Sequence, residues 1–131
     1  MGYLYKYYEA DNVAVASGSP LSAGTEIKDY VIPNGEVWQI HRFGGSSDNS
    51  NTEVELLYSD DAGSTWCNPF DSSTNKLCCL HINSQPPSPM IWSQGFEFVG
   101  SGTNCIIRLK FKNWDSSKTS EITGWIEGKI R

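Results

Sequence analysis

The sequence predicts an all-β chain: an antiparallel β-sandwich of jelly-roll type, with about eight to ten short strands. Three observations predict it. Apolar and polar residues alternate with a period of two, most cleanly over 104–112. There Cys105, Ile107, Leu109 and Phe111 fall on one face, and Ile106, Arg108, Lys110 and Lys112 on the other. No segment repeats its apolar residues at the 3.6-residue spacing of a helix. The composition is that of sheets joined by polar loops: 5 Trp, 6 Tyr and 5 Phe, 19% charged residues, and 12 Gly among abundant Ser, Asn and Thr. With 131 residues, no internal repeat and no linker, the chain supports one core.

Residues 1–24 read as a tyrosine-rich N-terminal arm and a short strand, and 25–131 as a single sandwich domain. The arm carries Tyr3, Tyr5, Tyr7 and Tyr8, and Val13 and Val15 mark a strand near 12–16. Such an arm either covers the domain's own edge or docks on a neighbour. Residues 26–32 form a strand closed by Pro33-Asn34-Gly35, where Pro suits the second position of a tight turn. Residues 36–43 return with Trp38 and Ile40 on one face and Val37, Gln39, His41 and Phe43 on the other. Apolar groups on both faces predict a central strand. The stretch 44–51, GGSSDNSN, reads as a loop.

The next strand, 52–58, sets Val54, Leu56 and Tyr58 against Glu53, Glu55 and Leu57. A polar loop at 71–75 precedes a short apolar strand at 77–82. Gln85-Pro86-Pro87-Ser88-Pro89 cannot supply a hydrogen-bonded ladder and reads as a rigid extended crossover. Residues 90–92 and 96–99 are apolar or alternating, and 100–103 make a turn. The closing strand puts Ile122, Ile126 and Ile130, with Gly124 and Gly128, on one face. Glu121, Thr123, Trp125, Glu127, Lys129 and Arg131 take the other.

Charge and composition narrow the partners. The net charge is −5, the isoelectric point is near 4.9, and the ten Lys and Arg form no patch, so nucleic acid is not expected. The first residues lack a basic segment followed by an apolar run, so neither an export signal nor a membrane partner is expected. Gly2 follows Met1, but Lys6 stands where myristoylation needs Ser or Thr. Cys67, Cys78, Cys79 and Cys105 show no Cys-x-x-Cys spacing. They read as reduced thiols, with one disulfide involving Cys105 as the alternative. No cofactor or metal is expected. The oxygen-rich stretch 48–51 and Asp71 suit calcium chemically, but no spacing fixes a site.

Catalytic arrangements are not evident. There is no Gly-x-Ser-x-Gly elbow, and His41 and His81 are the only imidazoles. Cys79 with His81 makes a conceivable dyad, yet both belong to a short strand. Glu53 and Glu55 share a strand face and read as its solvated side. The catalytic set is therefore expected to be none.

Two stretches carry resemblances. Ser59, Asp61, Gly63, Thr65 and Trp66 match Ser-x-Asp-x-Gly-x-Thr-Trp, the Asp-box found on hairpin turns of sialidases and other secreted or viral β-proteins. The resemblance implies a structural turn away from any catalytic centre. The residue chemistry agrees: Ser and Asp side chains bond nearby amides, Gly accepts positive φ, and the Trp ring anchors the turn. A sialidase would also need several four-stranded blades and an arginine triad, whereas this chain has only Arg42, Arg108 and Arg131.

The second resemblance is wider. A strand ending in Ile32-Pro33-Asn34-Gly35 is followed by Glu36-Val37-Trp38-Gln39-Ile40. Near the end come Phe96-Glu97-Phe98-Val99-Gly100-Ser101-Gly102-Thr103, a strand with basic residues outward, Asn113, and a closing strand with Gly and Trp. This order is similar to small jelly-roll virion proteins of tailed bacteriophages, of the capsid decoration or tail accessory type. It implies a non-enzymatic structural part of the virion, assembled in the host cytoplasm, that contacts other virion proteins and copies of itself as a trimer or symmetric array. Trp125, Trp114, Tyr3 and Tyr5 are the candidate contact residues, because aromatic rings outside the core anchor protein interfaces or stack on sugars. The rival expectation is a carbohydrate-binding module using the same rings on a glycan.

Overall fold

The computed structural model describes residues 5–18, 22–48, 51–66, 78–82 and 90–131, with 5–13, 78–82 and 90–95 described by backbone. The described residues contain no helix. The strands are β1 (Tyr5–Val15), β2 (Gly24–Val31), β3 (Val37–Ser47), β4 (Thr52–Ser59), β5 (Cys78–Ile82), β6 (Met90–Val99), β7 (Ile106–Asn113) and β8 (Ser120–Ile130). They form two sheets, ordered β1-β8-β3-β6 and β2-β7-β4-β5. Every ladder is antiparallel. The chain changes sheet at every connection except β4–β5, giving a sandwich-like all-β fold.

The core lies between the sheets and follows the alternation. On β7, Ile107, Leu109 and Phe111 are buried and their neighbours are not. With Val54 and Leu56 beside them on β4, they join Ile122 and Ile126 of β8 and Trp38, Ile40 and Phe43 of β3 in one core cluster. Tyr58 and Phe98 meet with ring centroids 5.1 Å apart, tilted by 59°, a favourable arrangement for two aromatic quadrupoles. Gly124 sits on the inner face of β8. A Cβ there would come within 2.9 Å of Phe111 Cε1 and 3.1 Å of Val54 Cγ1, so glycine lets the sheets close at that point.

Three elements differ from the sequence expectation. The first is β3. Its ladder with β8 shifts register between Ile40 and Arg42, a bulge that adds one residue at His41 and reverses the facing that follows. On the β6 side the same step spans Phe96 to Ile91, so there the extra residues belong to β6. Phe43, expected on the face opposite Trp38 and Ile40, therefore joins them in the core with no exposure. β3 also runs on to Ser47 through the glycines read as loop. Gly44 and Gly45 pair with Trp125 and Gly124 of β8, and the absence of side chains there makes room for what packs on them.

The second is β1, which is eleven residues long where a short strand near 12–16 was expected. Each residue from Tyr5 to Val15 has a partner on β8, from Ile130 to Ser120. The tyrosine-rich stretch from Tyr5 onward is thus the edge strand of the first sheet, because β8 offers a continuous ladder of equal length. The third is Glu55. Its outward face was expected to be solvated, but Glu55 is 2% exposed and Leu57 6%. The polar loop 71–75, the crossover 85–89 and the return stretch after the Asp-box, 67–70, lie outside the described residues.

Candidate functional site

The Asp-box opens the connection after β4, and its side chains close the turn among themselves. Ser59, fully buried, accepts the amides of Asp61 (3.3 Å) and Gly63 (2.9 Å) at Oγ and donates its hydroxyl to Asp61 Oδ1 (2.7 Å). Asp61 Oδ1 also accepts the Thr65 amide (2.8 Å), and Asp61 Oδ2 the Thr65 hydroxyl. The Thr65 hydroxyl, then the Thr65 amide and the Ser59 hydroxyl, lower the Asp61 pKa to about 2, against a small desolvation effect. Gly63 takes φ of 91°, in the region where glycine carries no Cβ penalty. The Ala62 amide donates to the Asn104 carbonyl (3.0 Å), tying the turn to the segment before β7.

Trp66 ends the box and docks it on the second sheet. The Arg108 guanidinium lies 4.0 Å from its ring centroid, within cation–π range. Arg108 is itself held by Asp29 of β2 through two bonds, Nε to Oδ1 (2.7 Å) and Nη2 to Oδ2 (3.0 Å). Asp29, Arg108 and Trp66 therefore form one stack across β2, β7 and the turn. The motif was legible in the sequence. Its clamp was not, because Asp29 and Arg108 are 79 residues apart and meet only through the β2–β7 register.

Trp125 lies on the outer face of the first sheet, on β8 between Ala10 of β1 and Gly44 of β3. A Cβ at Gly44 would fall 2.3 Å from Trp125 Cζ2 and 2.5 Å from Cε2. The indole thus rests on bare backbone and is half-buried, the arrangement in which an aromatic ring covers a cross-strand glycine. Charge lies beside it on the same face of β8: Glu127, two residues on, pairs with Arg42 of β3 (3.9 Å), while a second pair, Arg131 with Glu97 (3.8 Å), stands at the far end of the strand. Surface pairs of this kind contribute little energy, but the first sets charge next to the indole.

Trp114 is not part of that surface. It follows β7, its amide donates to the Asn51 carbonyl (2.9 Å), and its ring lies 5.9 Å from the Lys112 ammonium. Beside it, Lys112 Nζ reaches Glu55 Oε1 at 2.7 Å, a pair with side chains 16% and 2% exposed. By register Glu55 faces Lys110 and Glu53 faces Lys112, so the ion pair is the diagonal one. Tyr5 contributes backbone opposite Ile130, and Tyr3 lies outside the described residues. The candidate aromatics are therefore not gathered into one site: Trp125 belongs to the first sheet and Trp114 to the second.

The remaining chemical candidates are dispersed as well. Arg42 and Arg131 stand with the first sheet and Arg108 on the outside of the second, so the three arginines do not converge. His41 occupies the β3 bulge. Asp48 accepts the Glu121 amide (3.0 Å) and pins the end of β3 to β8. Asn49, Ser50 and Asp71 lie outside the described residues, and no metal-ligating cluster occurs among those described. Cys105 is a free buried thiol. Burial, with a lesser effect of the Asp60 charge, raises its pKa and makes it a poor nucleophile.

Asn113, which in the sequence is only one member of the wider resemblance pattern, proves to be a structural joint. Asn113 is fully buried, donates to the carbonyls of Val15 (3.1 Å) and Lys118 (2.7 Å), and accepts the Asp115 amide (2.9 Å). It joins the end of β1 to the β7–β8 connection. Comparison with family models, curated proteins and solved structures finds no match to this chain.

Proposed function

We propose that this chain is a non-enzymatic virion structural protein that decorates or extends a bacteriophage capsid or tail, assembled in the host cytoplasm. It contacts other virion proteins and copies of itself, as a trimer or symmetric array, through the outer face of the β1-β8-β3-β6 sheet. The observation that carries this reading is Trp125: a half-buried outer-face indole seated on Gly44 with the Arg42–Glu127 pair beside it, an aromatic flanked by charge as at protein contacts. The strand order β1-β8-β3-β6 and β2-β7-β4-β5 supports a jelly-roll, an architecture of viral capsid and lectin domains.

A carbohydrate-binding module is the second reading, and the same residue favours it, since an indole backed by glycine presents its other side as a sugar-stacking platform. The test is Trp125→Ala. Binding to purified capsids and tails, and light scattering against concentration, should show assembly reduced at least about ten-fold, a greater effect than on fold stability. A wild-type protein that binds neither particle, but binds an arrayed glycan in a Trp125-dependent way, refutes the virion reading.

A further inference from the structure

β2 is an edge of the second sheet: β7 takes one side, and no strand among the described residues takes the other. Five consecutive residues, Thr25 to Asp29, are exposed, and Ile27 and Val31 are 47% and 45% exposed. Glu26 and Lys28 share a face with the buried Tyr30 and stand opposite Phe111 and Leu109 across the ladder. They lie on the core-facing side of the strand beyond the part the first sheet covers. Charges in that position repel a generic incoming strand. These two have opposite sign and flank Ile27 symmetrically. We propose that β2 pairs antiparallel with β2 of a second copy about a two-fold axis at Ile27, joining two four-stranded sheets into one of eight.

In that register Ile27 meets Ile27, and Glu26 of each copy faces Lys28 of the other. Thr25 faces Asp29 and Gly24 faces Tyr30. A two-fold axis perpendicular to a sheet keeps equivalent residues on one face, so it passes through a residue and not between two. An axis at Glu26, Lys28 or Asp29 sets a charge against itself, which destabilises a cross-strand pair. The Ile27 axis makes two opposite-charge pairs, covers Ile27, and gives partners to the edge backbone groups. The charges therefore disfavour generic strands and the registers centred on Glu26, Lys28 or Asp29 while favouring a second copy at Ile27. This pairing stands apart from the virion reading, because it uses the other sheet from Trp125.

Charge exchange tests it in the intact chain by sedimentation equilibrium. Glu26→Lys sets lysine against lysine at both sites, and Lys28→Glu sets glutamate against glutamate. Each variant alone should lose about ten-fold or more in dimer affinity, with an unchanged melting temperature because both residues are exposed. An equimolar mixture of the two should dimerise as a heterodimer about as well as wild type, since every cross-pair is again opposite. The double variant should dimerise as well, and Trp125→Ala should leave the dimer intact. A monomeric wild type at hundreds of micromolar overturns the proposal, as does a mixture no tighter than either variant alone. A dimer lost with Trp125→Ala but indifferent to both charge variants also overturns it, while leaving the Trp125 surface standing.

Discussion

Replacing Lys112 by Met probes the buried pair directly. Glu55 is 2% exposed, and its carboxylate meets the Lys112 ammonium at 2.7 Å. Removing the ammonium leaves a desolvated charge without its counter-ion, a change that costs about 3–5 kcal/mol. Unfolding entropy of about 2.1 cal/mol/K per residue gives roughly 0.28 kcal/mol/K for this chain, so the melting temperature should fall by about 11–18 °C. The cation–π contact with Trp114 at 5.9 Å accounts for at most about 1 kcal/mol of that. The assay is urea unfolding of wild type, Lys112→Met, Lys110→Met and Glu55→Leu/Lys112→Met, with the slope checked for constancy. Lys110→Met should cost under about 1 kcal/mol, although Lys110 is the register partner of Glu55. The double variant should return to about wild-type stability or exceed it, because an apolar pair of similar volume carries no desolvation penalty. A loss below about 1 kcal/mol for Lys112→Met, or a larger loss for Lys110→Met, would refute the buried diagonal pair.

The Asp-box supplies two further expectations. Ser59→Ala removes the acceptor for two turn amides. At about 0.5–1.5 kcal/mol per bond it should cost about 1–3 kcal/mol, or about 4–11 °C, whereas Asp60→Ala in the same turn should stay within about 0.5 kcal/mol; equal losses would show that the Ser59 hydroxyl does not hold the turn. The depressed pKa of Asp61, about 2 against an ordinary 3.8, means its stabilisation is complete above the unfolded value and is lost as pH falls through about 2. The difference in melting temperature between wild type and Asp61→Asn should be flat above pH 4 and shrink between pH 4 and 2, and a difference that persists undiminished at pH 2 would contradict the hydrogen bonding assigned to the carboxylate.

Local chemistry made much of this molecule legible in its residue order. The alternation over 104–112 and 120–130 marks the inner faces of β7 and β8, because successive strand side chains point to opposite sides whatever the neighbours are. The Asp-box turn was legible for the same reason: its hydrogen bonds span four residues or fewer. Other features depend on which strands lie side by side. The bulge at His41 turns Phe43 inward, and a count of two cannot reveal an inserted residue until a partner strand shows the slip. Glu55 is buried, and Lys112 rather than Lys110 neutralises it, through a diagonal that exists only once β4 lies beside β7. Gly44 lies in a stretch of loop-like composition, and only its ladder with β8 makes it the seat of Trp125. Short-range order follows from backbone geometry and turn chemistry within a few residues. Burial of charge, the seating of an exposed ring and the identity of an edge are set by contacts across many tens of residues, and it is the pairing of whole strands that brings those groups together.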